Sequence, residues 1–498
     1  MLVRARVDTV RGGGKSCFMV LRQRTSTIQL VVMADESGER CSRTMVKFAA
    51  TLTKESVVDV EAEIAVPEKP VESCSVSSFE LRCVSIKCVS RAGPLPFDVA
   101  DAARSEAEVA AAAAEGKLLA TVSQDTRLDG RVLDLRVPAS QAIFSVQSAV
   151  GALFREAMAR EGFMEIHSPC LIAGASEGGA ACFALDYMGR PACLAQSPQL
   201  YKQMALMVRK SWRVSKEGER ERERENERAG KKGKKLTLLF LDLEPSEKKN
   251  PKSHQGDFGR VFEVTPVFRA EKSFTHRHLT EFTGLDFEMC IYEHYDEVLE
   301  VLDRLFVSLF DGLNERCGDE IAIIGKQFPA PPLRYLRKTL ILTFEEGIKM
   351  LKEGGFPDID PMADLNTEVE RALGKLVADR YHTDFFILKR YPAAVRPFYT
   401  MPDPVDPRYS NSYDVFIRGE EIISGAQRVH CAEMLRRQAE RCGIVVESIR
   451  DYINSFKWGS FPHGGAGVGL ERVVMLFLGL DNIRKTSLFP RDPKRLTP

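Results

Sequence analysis

The stretch VTPVFRAEKSFTHRHLTEFTGLDFEM, residues 264–289, determines how the whole chain is interpreted. It alternates apolar and polar residues, passes through a basic loop, and then alternates again. Because successive residues of a strand point to opposite faces, Val267, Arg269 and Glu271 share one surface. The opposite face, which we expect to be core, carries Phe262, Val264 and Phe268. Charge is therefore confined to one face of the first strand.

The returning segment repeats this division, so the two strands predict an antiparallel sheet with one polar face. The open surface of the second strand carries Phe282, Gly284, Asp286 and Glu288. Its core side carries Leu285, Phe287 and Met289. An arginine can clamp a phosphate with two hydrogen bonds, a carboxylate can accept from an exocyclic amine, and an aromatic ring can stack on a base. The pattern therefore predicts a nucleotide-binding floor.

Composition limits the classes of protein to which the chain can belong. It has 498 residues, 44% of them hydrophobic, and 70 basic residues balance 70 acidic ones. That length is enough for roughly three domains. No apolar run reaches the ~18 residues of a membrane helix, and the first residues lack a secretory signal. Twelve cysteines without a CxxC pair or a His/Cys cluster indicate reduced thiols and a cytoplasmic location.

The first 95 residues contain five short β-like runs punctuated by Gly, Ser, Lys and Asp. Such spacing favours a five-stranded oligonucleotide-binding (OB-fold) barrel, although another small β-domain would also fit the pattern. Met1 falls inside the first run, so we expect a shortened N-terminus. Residues 96–123 are alanine-rich and acidic, which indicates a hinge or linker.

Residues 124–498 mix helices and strands without a regular βαβ repeat, which predicts an α+β domain with a largely antiparallel sheet flanked by helices. A helix within 141–163 places apolar residues on one face, and Gly162 ends it. That face consists of Ile143, Val146, Val150, Leu153, Phe154 and Met158. Another helix begins at Thr343 and Glu346, which are spaced as a capping box.

A charged low-complexity block, residues 209–256, interrupts this domain between the helix QLYKQMALM and the strand RVFEVTPVF. A run of mixed charge is usually a solvated, disordered insertion. A mistranslated or unspliced segment is the alternative. Neither interpretation gives the block a chemical role, although its placement could separate Lys202 from Arg269.

Three motifs in order make the chain resemble the class II aminoacyl-tRNA synthetases. Residues 264–289 resemble the second signature motif of that class. The helix around Val150 and the expected strand FMEIHSPCLI, which carries Pro169, resemble the first motif, the homodimer interface. GVGLERVVMLFLGL, residues 467–480, resembles the third. With the barrel and the ending SLFPRDPKRLTP, the likeness points to the aspartyl-tRNA synthetases of the archaeal and eukaryotic type.

The resemblance implies that ATP binds on this sheet. Arg269 would hold the α-phosphate, and Glu271 would read the adenine amine. Phe282 would stack beneath the ring, with Arg472 above it and near the γ-phosphate. The remaining ATP-binding positions that the resemblance implies are Arg277, His278, Leu279, Glu421 and Gly469.

The resemblance also implies Mg²⁺, held by Asp414, Glu421 and Ser424 in NSYDVFIRGEEIISGAQR, residues 411–428. Carboxylate oxygens are hard ligands of the kind that this cation prefers, and ATP supplies several more. Glu421 and Ser424 match the metal positions of the family more firmly than Asp414 does.

For L-aspartate the resemblance implies two cations, Lys202 and Arg428, that face the side-chain carboxylate. The positions implied for the ammonium group and for the rest of the aspartate-binding set are Glu177, Gln199, Asp286 and Ser424. Glu177 lies in GASEGGA, where two glycines would let a loop close over the substrate. A site built around two cations should reject a neutral side chain strongly.

The implied reaction has two steps. The α-carboxylate of aspartate attacks the α-phosphorus of ATP, which gives aspartyl-adenylate and pyrophosphate. The terminal 3′-hydroxyl of tRNA(Asp) then accepts the aspartyl group. Arg269, Arg472 and Mg²⁺ would act by positioning and by neutralising phosphate charge.

The barrel would read the anticodon. Phe18 and Gln29 match anticodon-contacting positions of the family, and Arg22 is their neighbour. An aromatic ring and an amide suit unstacked RNA bases, although Phe18 could also belong to the barrel core. We expect no membrane partner, and the sequence leaves open both charging of tRNA(Asn) and membership of a multi-synthetase complex.

Three rival functions remain. An asparaginyl-tRNA synthetase shares the architecture, but a neutral amide substrate does not require the cation of Lys202. A non-catalytic RNA-binding relative would be expected to lack Arg269, Glu421 or Arg472, and all three are present. An asparagine synthetase of the related ammonia-using type would lack the barrel.

Overall fold

The computed structural model describes residues 1–35, 41–173, 182–207 and 257–498, and the chain divides into two units. The first unit contains residues 1–146, 318–330 and 497–498, and the second contains residues 147–317 and 331–496. Glu177 and the block 209–256 lie outside the described residues.

A closed five-stranded barrel forms the N-terminal part of the first unit, in the order β1-β2-β3-β5-β4. The strands are β1 (Leu2–Gly13), β2 (Ser16–Gln23), β3 (Ser26–Met33), β4 (Val57–Ala65) and β5 (Glu80–Ser90). Helix α1 (Arg43–Ala50) separates β3 from β4. Alternate residues of β2, such as Cys17 and Met19, fill the core, so the expected OB-fold barrel is confirmed.

Short helices make up most of the first unit beyond the barrel. They are α2 (Val99–Ala102), α3 (Glu106–Ala114), α4 (Gln124–Asp129) and α5 (Arg131–Asp134). Helix α6 (Pro138–Arg160) begins in this unit, and the segment 318–330 contributes α9 (Gly318–Gln327). The expected hinge, residues 96–123, thus contains α2 and α3, and α3 buries none of its residues.

The second unit is organised around an eight-stranded sheet in the order β12-β13-β14-β15-β16-β11-β10-β6. Its strands are β6 (Phe163–Glu165), β10 (Asp257–Phe268), β11 (Glu281–Cys290), β12 (Leu340–Thr343), β13 (Phe385–Lys389), β14 (Ser412–Ile417), β15 (Glu420–Gln427) and β16 (His463–Gly469). The pairs β6–β10 and β12–β13 are parallel, and the other pairs are antiparallel. The expected α+β class is confirmed.

Smaller elements complete the second unit. A three-stranded sheet is formed by β7 (Leu171–Ile172), β8 (Ala184–Tyr187) and β9 (Arg190–Leu194). The helices are α7 (Gln199–Leu206), α8 (Asp296–Arg316), α10 (Phe344–Glu353), α11 (Thr367–Tyr381), α12 (Ala432–Arg441), α13 (Arg450–Phe456) and α14 (Leu470–Phe477). Three-residue to four-residue 3₁₀ turns lie at Ala393–Val395, Val446–Ile449 and Ile483–Lys485.

Local signals in the sequence hold for two helices. The six residues predicted to share one face of α6 are all buried, and Gly162 comes after that helix with φ 78°. Thr343 and Glu346 form the capping box of α10, each side chain bonding the backbone N–H of the other residue. Capping of this kind satisfies amide groups that the first helical turn leaves without partners.

Two expectations about strands were wrong. Pro169 does not lie within a strand, because it falls between β6 and β7. Proline has no N–H to donate to a sheet, and the N–H of Ser168 donates to the Glu263 carboxylate at 2.8 Å. Val264 and Phe268 are half-buried rather than core. The α6 residue Phe154 packs against Phe262, which is the one buried residue among the three predicted for that face of β10.

Candidate active site

A cavity of about 320 Å³ lies on the open face of the large sheet. Strands β10, β11, β15 and β16 supply its floor, and the loop 269–280 and the start of α14 supply part of its wall. The predicted site residues that line it are Gln199, Arg269, Glu271, Arg277, His278, Leu279, Phe282, Asp286, Glu421, Ser424, Arg428, Gly469 and Arg472. Lys202 and Asp414 lie behind this lining.

Strand register explains why the predicted alternation is correct. Val267 pairs with Phe282, and Glu263 pairs with Asp286. Directly opposed residues of antiparallel strands point to the same face, so both strands turn their polar residues toward the cavity. The strand itself ends at Phe268, and the N–H of Arg269 extends the pairing by donating to the Thr280 carbonyl at 2.9 Å.

The floor is deepened by a residue without a side chain. A Cβ atom added at Gly467 would lie 2.8 Å from Oδ1 of Asp286, a separation that real Cβ atoms do not adopt. A side chain at this position would press on the Asp286 carboxylate, which Lys202 holds at 2.8 Å, so glycine suits it. The glycines that the sequence places before α14 thus leave the space in which a ligand can approach the sheet backbone.

Three arginines converge at one part of the cavity. The Arg472 guanidinium donates to the Glu421 carbonyl at 2.8 Å and to the Arg277 carbonyl at 3.3 Å. Burial lowers the pKa of Arg472 from its ordinary value; the charge of Glu421 opposes this shift, and the charges of Arg277 and Arg269 add to it. Arg269 lies over the Phe282 ring at 5.6 Å from its centroid. Positive charge in this region is therefore only partly compensated, which favours an anionic ligand.

The loop 269–280 is held from outside the cavity by the C-terminal segment. Two cations lie over the Phe274 ring, Arg484 at 4.4 Å and Lys494 at 4.1 Å from its centroid. The N–H of Ile483 donates to the His276 carbonyl at 2.8 Å. Each such cation–π contact stabilises by about 0.5–1 kcal/mol at an exposed site, so the contacts restrict the loop.

His278 lies in the part of that loop that lines the cavity. Its Nδ1 is 2.6 Å from Oγ1 of Thr275. Burial lowers the pKa of His278, and the neighbouring charge of Arg472 lowers it further. The imidazole is therefore kept neutral near neutral pH, where it can still exchange a hydrogen bond with a phosphate oxygen.

Glu421 and Ser424 are the residues in the cavity that fit a hard cation. Burial, followed by the charge of Asp414, raises the pKa of Glu421 to about 7. A divalent cation would stabilise the ionised carboxylate that burial disfavours. Asp414 fits less well, because Arg396 donates to both of its oxygens at 2.9 and 2.7 Å. The Ser424 hydroxyl also accepts from Arg396, at 2.7 Å.

Three ion pairs among four side chains occupy the part of the site predicted to bind the substrate side chain. Lys202 Nζ lies 2.8 Å from Asp286 and 3.5 Å from Glu288. Arg428 donates to both oxygens of Glu288 at 3.0 and 3.2 Å and to the Gly465 carbonyl at 2.8 Å. All four side chains are at least 94% buried. The two predicted cations are thus already matched by two carboxylates, a network that the sequence did not reveal.

Sequence reasoning missed residues of the segment YPAAVRPFYTM, 391–401. Arg396, Tyr399 and Thr400 line the cavity, and Arg396 lies 3.8 Å from the Tyr391 ring centroid. Within the described part of the chain, Nε of Arg396, Oγ1 of Thr400 and Nε2 of Gln199 are buried without a hydrogen-bond partner. Such atoms usually have partners, so they are suited to a ligand. The sequence signal that could have indicated these residues was a single charged residue, Arg396, within eleven mostly apolar ones.

The predicted anticodon positions differ in exposure. Phe18 is 39% exposed, so it is not a core residue. Gln29 donates to the Glu80 carboxylate at 3.1 Å. Arg22 is buried and forms ion pairs with Glu55 and, at 3.1 Å, with Asp8. The first two residues therefore present groups at the barrel surface, while Arg22 is held beneath it.

Comparison with known proteins shows the family. The model for class II tRNA synthetases (D, K and N) matches residues 123–217 and 253–493, and the OB-fold nucleic acid binding domain matches residues 1–89. The chain is 50% identical to the cytoplasmic aspartate–tRNA ligase 2 of Arabidopsis thaliana, covering all of this chain and 80% of that protein. It belongs to the aspartate–tRNA ligases of class II. The cytoplasmic aspartate–tRNA ligase of Homo sapiens is 48% identical, and the match covers 100% of this chain and 88% of that protein.

Solved structures agree with this family. An aspartyl-tRNA synthetase from Entamoeba histolytica superposes with a TM-score of 0.82 at 42% identity, covering 100% of this chain and 89% of that one. An asparaginyl-tRNA synthetase from Pyrococcus horikoshii complexed with asparaginyl-adenylate gives 0.76 at 27% identity, with 100% and 96% coverage. The aspartate family is thus the more similar in sequence. Within the described ranges, no helix has the length and hydropathy needed to cross a bilayer.

Proposed function

We propose that the chain activates L-aspartate with ATP and transfers the aspartyl group to the 3′ end of tRNA(Asp). The observation that carries the proposal is that three arginines, the half-buried Glu421 and the guanidinium of Arg428 meet in one cavity. Phosphate, a hard cation and a carboxylate substrate each find a complementary group there. The family to which the chain belongs supports the same reaction.

ATP would bind with its phosphates on the arginines. Arg269 would hold the α-phosphate, where charge develops as the aspartate carboxylate attacks, and Arg472 would neutralise the terminal phosphates. Arg277, His278 and Leu279 would wrap the triphosphate. The adenine would lie on Phe282, which requires Arg269 to move from the face of that ring. Glu271 would accept from the adenine amine, and the backbone at Gly469 would pass beside the ribose.

Mg²⁺ would be held by Glu421 and Ser424, and Asp414 would support the site through Arg396. When bound, the cation would neutralise charge on the ATP phosphates. Glu421 would then be ionised, because a bound cation favours the charged form of a carboxylate. These residues bring the attacking carboxylate and the phosphates together without any side-chain nucleophile, so positioning and charge stabilisation would supply the catalysis.

The substrate aspartate would place its side-chain carboxylate on Arg428, with Lys202 behind it. Asp286 and Gln199 would accept from the ammonium group, with Ser424 beside them, and Glu177 would complete this set. The arginine offers a planar fork that matches a carboxylate. A neutral amide would leave one side of that fork without its partner, which is the kind of mismatch that enzymes discriminate strongly.

The barrel would bind the anticodon of tRNA through Phe18 and Gln29, with Arg22 supporting that surface from beneath. We further propose a cytoplasmic location, as in the named relatives, and a homodimer through the segment around Pro169. Membership of a multi-synthetase complex is a compatible extension. The domain division that we propose is an anticodon-binding barrel at 1–95, a hinge at 96–123 and a catalytic domain at 124–498 interrupted at 209–256.

The test is ATP–pyrophosphate exchange with purified protein, given aspartate or asparagine in parallel. We expect exchange with aspartate, its loss on chelation of Mg²⁺, and its recovery when Mg²⁺ is restored. Exchange with asparagine in place of aspartate would transfer the function to the asparaginyl enzymes. If neither amino acid supports exchange, the chain lacking 209–256 is assayed. Inactivity of both chains would contradict the catalytic proposal.

A further inference from the structure

A second cavity lies in the first unit, and neither Phe18 nor Gln29 lines it. It has a volume of about 210 Å³ and is formed by β1, β2, β4 and the start of α6. Its charged lining consists of five arginines, Arg4, Arg6, Arg22, Arg24 and Arg136, and two glutamines add amide groups. Among the described residues that line this arginine cavity, none is acidic. Arg4 is paired with the Asp59 carboxylate at 2.7 Å, and Arg22 and Arg136 are also paired with carboxylates. The wall therefore offers hydrogen-bond donors with a modest positive bias.

The floor of the arginine cavity is a rigid ion-pair cluster. Glu55, which is 4% exposed, receives ion pairs from Arg22 and Arg136, the second at 2.9 Å. Asp8 holds the other side of the Arg22 guanidinium. Asp8 and Glu55 do not line the cavity, and their ion pairs fix the positions of the Arg22 and Arg136 guanidinium groups.

Two arginines of the cavity have no carboxylate among their described hydrogen-bond partners. Arg6 donates to the Glu55 carbonyl at 3.2 Å, and burial together with the charge of Arg136 lowers its pKa from the ordinary value. Arg24 is exposed in the two-residue turn between β2 and β3, with φ 53°. Two-residue hairpin turns require positive φ, so the turn itself accounts for this conformation. Both arginines are available to an anion.

The outer face of β2 connects this cavity to the proposed base-binding surface. Phe18 and Arg22 are separated by four residues and so lie on the same face of the strand, about 13 Å apart at 3.3 Å per residue. Arg22 pairs with Arg6, and Phe18 pairs with Arg11, at opposite ends of the β1–β2 ladder. An RNA strand whose base stacks on Phe18 could therefore reach the arginine cavity with its backbone.

We propose that the arginine cavity binds a backbone phosphate of the tRNA whose anticodon the barrel reads. The inference rests on the proposed function, because it assumes tRNA as the ligand. Arginine forks match phosphate geometry, and contacts of this type position an RNA without reading its sequence. The cavity thus sets the register of the tRNA on the barrel, while Phe18 and Gln29 supply the base contacts.

The variant Arg6→Gln/Arg24→Gln removes two guanidinium charges and leaves the ion pairs of Glu55 with Arg22 and Arg136 in place. Binding of tRNA(Asp) and of an unrelated tRNA transcript is measured at several salt concentrations. Loss of one phosphate contact should lower the slope of log affinity against log salt by about 0.7–0.9. Because the contact is to the backbone, both tRNAs should weaken by about tenfold at fixed salt.

The matched control is Arg43→Gln/Lys47→Gln, which removes two exposed charges of α1 that do not line the cavity. Three results would each overturn the proposal. They are an unchanged salt slope in the first variant, an equal change of slope in the control, and weaker binding of tRNA(Asp) with unchanged binding of the unrelated tRNA. Thermal unfolding verifies that the variants fold. If the double variant does not fold, Arg24→Gln alone, at the exposed turn, is measured in its place. Pyrophosphate exchange by the unaltered chain needs no tRNA and tests the proposed function separately.

Discussion

Replacing both members of the Arg428–Glu288 ion pair with glutamine separates a substrate-binding role of Arg428 from a structural one. Arg428→Gln leaves Glu288, which is fully buried, with Lys202 at 3.5 Å as its remaining ion-pair partner. Breaking a buried pair in this way typically lowers the free energy of unfolding by about 3–5 kcal/mol. Arg428→Gln/Glu288→Gln removes both charges, so we expect most of that loss to be recovered.

The effect on substrate use should not be recovered in the double variant. Truncating one partner of a buried, hydrogen-bonded charge pair costs about 2–5 kcal/mol of binding. At 1.36 kcal/mol per factor of ten, kcat/KM for aspartate should fall by about 30-fold to 5,000-fold in both variants. Glu288→Gln keeps the Arg428 guanidinium and is the matched control, for which we expect the preference for aspartate over asparagine to persist.

Urea unfolding and pyrophosphate exchange with both amino acids measure the two effects separately. The reasoning is refuted if the double variant regains aspartate exchange together with its stability, because Arg428 would then act only by compensating Glu288. It also fails if the double variant is as unstable as Arg428→Gln, since the cost would not come from an uncompensated charge.

Three single substitutions probe other contacts. Burial raises the pKa of Glu471 to about 7, so the stability contributed by its protonated form is present at pH 4 and is lost as pH rises toward 7. Glu471→Gln should therefore raise the melting temperature more at pH 8 than at pH 5. Equal changes at the two pH values would contradict the raised pKa. Gly425→Ala would place a methyl group inside the buried Tyr413 ring, so urea unfolding should show a loss of about 1–3 kcal/mol. Phe274→Ala removes two cation–π contacts of about 0.5–1 kcal/mol each. The KM for ATP should therefore rise about fivefold to thirtyfold, with little change in melting temperature. An unchanged KM would show that the C-terminal segment does not restrict the loop 269–280.

Alternation within a strand was sufficient to find the floor of the site. Arg269, Phe282 and Asp286 could be assigned to one surface because side-chain direction along a strand depends only on sequence position. Helix faces and the Thr343 capping box obey equally local rules. These predictions needed no knowledge of the residues that lie across the sheet.

Partners that are distant in sequence could not be predicted in this way. Lys202 and Asp286 are 84 residues apart, and local periodicity contains no information about their ion pair. Arg396 lies in a loop without periodicity, so its contact with Asp414 became visible only in three dimensions. The position of Pro169 between two short strands likewise depends on where Glu263 offers an acceptor.

The place of β16 in the large sheet has a consequence for biosynthesis. This strand begins at His463 yet lies between β15 and β11, in the interior of the sheet. A growing chain therefore cannot join β11 to β15 until β16 has been made. The edge of β11 stays unpaired from residue 290 and that of β15 from residue 427 until this strand is added, and such edges favour misassembly. The same strand carries the backbone beneath the ATP-binding floor, so nucleotide binding would report that synthesis has passed this point.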